Sequence, residues 1–200
     1  PPRPDLSARA CLSFTIGLTN SMKDMAELGL EDLTFFIKTP YVTATALYEL
    51  MLNQTVGIAI GRHADDEKAV RIPLKNLQPY GFEDEAAALP FPKRGFPGFR
   101  LLTEFFAMPE KFLFFRLSGL RDALRHMEGT DFQLFFYFGA PADKLLKSVN
   151  VNSFDLHCAP VINLFPQRAE PIHIDQTSHE YELLPDARRN HTREIYSVTD

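Results

Sequence analysis

Two hundred residues with 45% hydrophobic side chains and 18 Phe can close a real core, as one large domain or two small ones, which excludes a disordered chain. A net charge of -5 supplies no cationic field for a phosphate backbone or an anionic lipid surface, so nucleic acid and membrane are poor partners. The two cysteines, Cys11 and Cys158, lack metal-type spacing and are too few for a secreted disulfide scaffold. A reducing cytosol is expected, with both thiols as small buried hydrophobes.

The chain opens Pro1-Pro2-Arg3-Pro4-Asp5 without a signal core, which reads as a cut inside a longer polypeptide. Residues 8–18 alternate polar and apolar and predict a half-buried strand, followed by a loop with a helical turn over 21–29. A strand over 33–38 ends at Pro40. Leu47, Leu50 and Met51, at i, i+3 and i+4, predict a helix over 41–52, and β-branched residues predict a strand over 55–61. An acidic loop leads to a strand over 70–74 and then to a Pro- and Gly-rich irregular stretch over 75–98, where the main boundary is expected.

A helix over 99–108 stops at Pro109, a strand covers 112–117, and a helix over 120–127 is broken by Gly129. Residues 132–138 form a nearly unbroken apolar strand, the pattern of a strand covered on both faces, yet far short of the ~18 apolar residues of a membrane span. A helix over 143–149 carries Asp143 and Lys147 as an ion pair on one exposed face, worth ~0.3 kcal/mol. Beyond Phe154 the chain is punctuated by proline, with short strands expected at 172–175, 180–184 and 194–198. The expected class is α+β, with mixed sheets and short helices. Two similar β-α-β units, 33–61 and 112–139, each open on an aromatic pair and close on glycine; the expected domains are 1–90 and 91–200.

No polar constellation carries chemistry. His157, Cys158, His173, Asp175, His179 and Glu180 show neither CxxC nor HExxH spacing, and neighbours on a strand point to opposite faces. The carboxylate runs 65–67 and 83–85 have no partnering His or Arg motif. Gly57-x-x-x-Gly61 leads into Arg62-His63 instead of a phosphate-binding Lys-Ser/Thr pair, and Ser118-Gly119 lacks the frame that exposes a nucleophile. No catalytic, cofactor-binding or metal-binding residue is nominated. Phe91, Arg94, Phe96 and Phe99 lie in a Pro/Gly loop whose aromatics suit either the domain's own core or a partner contact.

Several ordered motifs resemble the TssF (ImpG/VasA) family of the type VI secretion system. They include Gly81-Phe82, Phe96-Pro97-Gly98, Arg100-Leu101-Leu102 and Pro109-Glu110-Lys111-Phe112-Leu113-Phe114-Phe115. Further on stand Cys158-Ala159-Pro160-Val161-Ile162-Asn163-Leu164-Phe165, Pro185-Asp186-Ala187-Arg188-Arg189 and Glu194-Ile195-Tyr196-Ser197-Val198. Arg116 and Ala159 depart from the family pattern. The resemblance implies a non-enzymatic, cytoplasmic baseplate wedge subunit docked at the inner-membrane complex, with a fold like that of contractile-phage wedge proteins. Its implied partners are TssG, a second TssF copy, TssK, and the spike, hub and sheath-initiating proteins, with no cofactor, nucleic acid or direct membrane insertion. Arg188 and Arg189 join the aromatic loop as expected interface residues. Two other readings make distinct demands: a hydrolase fragment needs a cleft with coupled titratable groups, and a ligand-binding α+β domain needs an enclosed cavity. A scaffold instead predicts an apolar patch larger than the ~300 to 600 Å² common on monomers.

Overall fold

The computed structural model describes residues 7–19, 24–91, 95–125, 127–177 and 179–198, which divide between two compact units, Pro1–Pro160 and Val161–Asp200. The first unit contains β1 (Ala10–Gly17), β2 (Asp32–Ile37), α1 (Tyr41–Asn53), β3 (Thr55–Gly61), β4 (Val70–Ile72), β5 (Leu77–Tyr80) and α2 (Pro97–Ala107). It continues with β6 (Phe114–Ser118), α3 (Leu120–Leu124), β7 (Asp131–Phe138), α4 (Asp143–Leu146) and β8 (Phe154–Leu156). One sheet has the order β1-β7-β3-β4, the other β5-β6-β2-β8.

All the strand pairings among the described residues are antiparallel, which corrects the expected mixed sheets. The reason lies in the connections. The helix α1 carries the chain from β2 in one sheet to β3 in the other, and α3 does the same between β6 and β7, so neither crossover sets two parallel strands side by side. Because β2 pairs with β6 and β3 with β7, the two strand-helix-strand units are partners strand for strand. Both sheets join strands from the two sides of residue 90, and the compact units are Pro1–Pro160 and Val161–Asp200. The aromatic pairs that open the two units become cross-strand neighbours: Phe35 stacks on Phe115 at 5.0 Å and Phe36 on Phe114 at 4.7 Å.

The core lies where the sheets meet. Phe14 of β1 contacts Phe35, Phe136 and Phe154 at ring distances of 5.6, 5.8 and 4.9 Å, and Phe115 contacts Phe136 and Phe154 at 6.4 and 6.2 Å. Such tilted and edge-on arrangements suit the ring quadrupoles. Ala44, Leu47, Leu50 and Met51 form the buried face of α1. On β7, Phe132, Leu134, Phe136 and Phe138 enter the main core, whereas Phe135 and Tyr137 join Ala59 in a second cluster. Both faces of this central strand are therefore covered, as its unbroken apolar run implies.

Several boundaries differ from the sequence reading. β5 lies in the Pro- and Gly-rich stretch 75–98 expected to be irregular, but as an edge strand it tolerates Pro79, which cannot donate to the ladder. Pro109–Phe112 is a 3-10 turn that delays the start of β6, and α3 and α4 are shorter than expected. Among the described residues Asp143 and Lys147 form no ion pair; they share only a backbone hydrogen bond of 3.1 Å. Both cysteines are exposed, not buried, Cys11 because it lies with Ser13 and Thr15 on the outer face of an edge strand.

The second unit contains no strand among its described residues, so those expected at 172–175, 180–184 and 194–198 do not form. Their alternating pattern needs a sheet to bury one face, and a unit of this size supplies none. It is held by side chains instead. The Arg193 guanidinium donates to Gln167 Oε1 at 2.7 Å, lies 3.4 Å from Asp186 Oδ2 and stands 5.4 Å from the Phe165 ring. Hydrogen bonds from Thr177, and then from Tyr181, hold the Asp175 carboxyl down at about 2.

Phe115 is fully buried at the junction of the sheets. Phe115→Ala is expected to cost about 3 to 5 kcal/mol, read as a lowered urea midpoint, whereas the outward Thr15→Ala stays within about 0.5 kcal/mol.

Candidate interaction surface

The helix α2 begins with Pro97 at its first position, where a missing N–H leaves no donor unsatisfied. Its residues separate into two faces of opposite character. One holds Arg100 and Glu104, one turn apart; the other holds Phe99, Leu102 and Phe106 at i, i+3 and i+7. A surface helix ordinarily buries its apolar stripe. Here the charged face is inside: Arg100 is 3% exposed and Glu104 1%, while Phe106 is 82% exposed, Phe99 66% and the preceding Phe96 69%.

The cause is the backbone beneath the helix. Residues 81–89 contain only one short 3-10 turn, so their polar groups need side-chain partners. Glu104 Oε1 accepts the N–H groups of Ala88 at 2.8 Å and Leu89 at 3.0 Å. Its Oε2 accepts from Lys111 Nζ and from Arg100 Nη1 at 3.4 Å. Lys111, also buried, donates to Gly81 O at 2.9 Å. Arg100 Nη2 donates to Phe82 O at 3.3 Å, Glu83 O at 3.4 Å and Asp84 Oδ1 at 3.1 Å. Gly81 has a φ of 106°, and a Cβ there would lie 2.9 Å from Lys111 O, so this approach requires glycine.

Every charge in this network has an opposite charge or several carbonyl partners, the condition under which burial of ions is tolerated. Burial alone would raise the Glu104 carboxyl, but the Leu89 N–H, Lys111 and the Ala88 N–H together hold it below its ordinary range. The network fixes the rotation of α2, and the aromatic row is left outward. Phe96 and Phe99 meet edge-on at 5.8 Å, and Phe105 bridges inward to Phe112 at 5.9 Å.

Of the residues singled out in the sequence, Phe96 and Phe99 lie on this exposed face, and Phe91 is half-buried. Arg94 lies outside the described residues. Arg188 and Arg189 are exposed in the second unit, in a turn where the Arg188 N–H donates to Asp186 Oδ1 at 3.0 Å. The sequence reading missed Leu102, Phe105 and Phe106, and the buried Arg100–Glu104–Lys111 network. The two faces of α2 are visible in its periodicity, but periodicity does not say which of them turns inward.

The His, Cys and acidic residues weighed as metal ligands do not converge: among the described residues no group of three such side chains is placed to hold an ion. A wide-mouthed groove of about 560 Å³ lies beside α1, with Glu49, Leu50, Pro141, Asp143 and Lys144 in its lining. No helix among the described residues is long and apolar enough to cross a membrane.

An antiparallel two-sheet α+β module with an aromatic helix face turned outward presents the kind of apolar patch that marks interaction surfaces. The family model described as "Type VI secretion system, TssF" matches residues 2–200, and the chain belongs to the TssF family. It is 34% identical over 171 residues to type VI secretion system component TssF1 of Pseudomonas aeruginosa, an alignment covering 86% of this chain and 28% of that protein. It is also similar to a chain in a cryo-electron microscopy structure of the type VI secretion system TssK-TssF-TssG baseplate subcomplex. That likeness has a TM-score of 0.72 and 27% identity, covering 98% of this chain and 37% of the other. The chain thus spans 28% and 37% of the length of these relatives.

Glu104→Gln is expected to destabilise the first unit by about 3 to 5 kcal/mol, since it leaves the buried Lys111 without an opposite charge while Arg100 keeps only Asp84; chemical denaturation at neutral pH measures this. A lowered carboxyl contributes stability above its ordinary value of 4.5 that is lost as pH falls from there through the folded-state value. Wild-type stability therefore declines across that acid window by an increment that Glu104→Gln lacks.

Proposed function

We propose that the chain serves as a non-catalytic structural part of a type VI secretion baseplate wedge. In this reading its parent protein assembles with TssG, a second TssF copy and TssK around the spike and hub. The wedge supports sheath and tube assembly from the cytoplasmic side, docked at the inner-membrane complex, with a fold akin to contractile-phage wedge domains. Membership of the TssF family and the likeness to a chain of the baseplate subcomplex support the role.

The observation that carries it is the outward row of α2. A helix held by a buried ionic network, with Phe99, Leu102 and Phe106 free, is preorganised for contact, because little conformational entropy remains to be lost on docking. Phe91, Arg94, Phe96, Phe99, Arg188 and Arg189 are the proposed contact residues.

The test is co-purification of the full-length parent with TssG, comparing wild type with Phe96→Asp and Arg188→Glu, with circular dichroism to confirm folding. Selective loss of TssG in a folded variant is expected. Retention by both folded variants removes these residues from the interface, and failure of wild type to retain TssG overturns the wedge assignment.

A further inference from the structure

Four strands end a sheet, and three of them offer little to a further strand. β4 and β8 are three residues each, β4 runs into Pro73, and β5 carries Pro79. The fourth, β1, is different. Its eight residues include no charge and no proline. They pair with β7 in one unbroken register, whereas β3 meets β7 through a shift between Thr55 and Gly57. A long, regular, uncharged edge is the kind that folded proteins cover.

The ends of the ladder fix the direction of its backbone groups. The Leu18 N–H donates to Thr130 O at 2.7 Å, and on the other side of β7 the Gly139 N–H donates to Gln54 O at 2.9 Å. Alternation along the strand then turns the even residues of β1 toward β7, and the N–H and C=O groups of Cys11, Ser13, Thr15 and Gly17 away from it. Among the described residues no strand takes these groups up. The core is open along the same line. Leu12, Phe14 and Ile16 pack against it yet stay half-buried, while Phe136, Leu134 and Phe132, directly across on β7, are all at 0% exposure. The two rows differ by one strand position, so one more strand beyond β1 would complete the burial.

We propose that the free edge of β1 receives an extended segment of the parent polypeptide from outside residues 1–200. The segment is six to eight residues in round numbers, the usual strand length. It sets apolar side chains beside Leu12, Phe14 and Ile16, and small polar ones beside Cys11, Ser13 and Thr15. Two observations favour a segment of the same polypeptide over a separate protein. The alignment with TssF1 covers only 28% of that protein, so a relative of its length holds ample further chain, already tethered. A strand supplied from elsewhere would also leave this edge bare before assembly, where an uncharged edge invites aggregation.

Hydrogen exchange, read residue by residue by mass spectrometry with electron-transfer fragmentation, tests this on the 200-residue chain and on the isolated full-length parent. In the 200-residue chain the amides of Cys11, Ser13, Thr15 and Gly17 are expected to exchange fast and those of Leu12, Phe14 and Ile16 slowly. In the parent all seven are expected to be slow, the first four by roughly tenfold or more. Ser13→Pro removes one outward N–H, which an edge strand tolerates. It is expected to leave the thermal melt of the 200-residue chain unchanged, and in the parent to return Cys11, Thr15 and Gly17 to fast exchange. Slow exchange of the four amides in the 200-residue chain itself overturns the open edge. Fast exchange in the parent, protection that disappears on dilution, or protection that arises only when TssG is added overturns a covering segment from the same polypeptide.

Discussion

Five phenylalanines hold the first unit together. Phe14 and Phe136 come from one sheet, and Phe35, Phe115 and Phe154 from the other. Among the described residues no ladder hydrogen bond joins the two sheets, so their relative placement rests on apolar burial, to which these rings contribute large side chains. The helices α1 and α3 follow from that arrangement. Each closes the space between a strand of one sheet and a strand of the other, which is why both bury Leu and Ala and neither carries a buried charge.

The helix α2 obeys a different rule. Its position is set by backbone groups of residues 81–89 that have no strand or helix to satisfy them. Glu104 supplies the acceptor, Arg100 and Lys111 the donors, and once those bonds are made the aromatic side has only solvent to face. Polar satisfaction outranks apolar burial here because an unpaired buried N–H or charge costs more than an exposed ring.

Much of the first unit was legible in the sequence because its elements carry a clean period. β1, β2, β3 and β7 announce themselves by alternation or an unbroken apolar run, and α1 by Leu47, Leu50 and Met51. What was not legible depends on partners distant in the chain. The antiparallel sheets follow from which strands meet, not from the strands themselves. β5 was hidden because Pro79 is acceptable only at an edge, and edge position is a tertiary fact. The second unit shows the converse: Ile172 with Ile174, and Tyr196 with Val198, follow the strand period, yet remain exposed because no neighbouring strand among the described residues receives them. On the surface, the sequence indicated Phe96 and Phe99 but not Phe106, whose outward direction depends on the bonds of Glu104.

The pairing of β1 with β7 bears on the order in which the molecule can form. Ala10 lies opposite Phe138 and Gly17 opposite Asp131, so the earliest strand finds its neighbour only after most of the first unit has been synthesised. Until then Leu12, Phe14 and Ile16 have no ladder to join, and the aromatic junction lacks Phe136 as well. Closing so long a loop is entropically slow and favours late, cooperative completion over piecewise assembly. Among the described strands, β1 thus waits across the longest stretch of chain for its first neighbour.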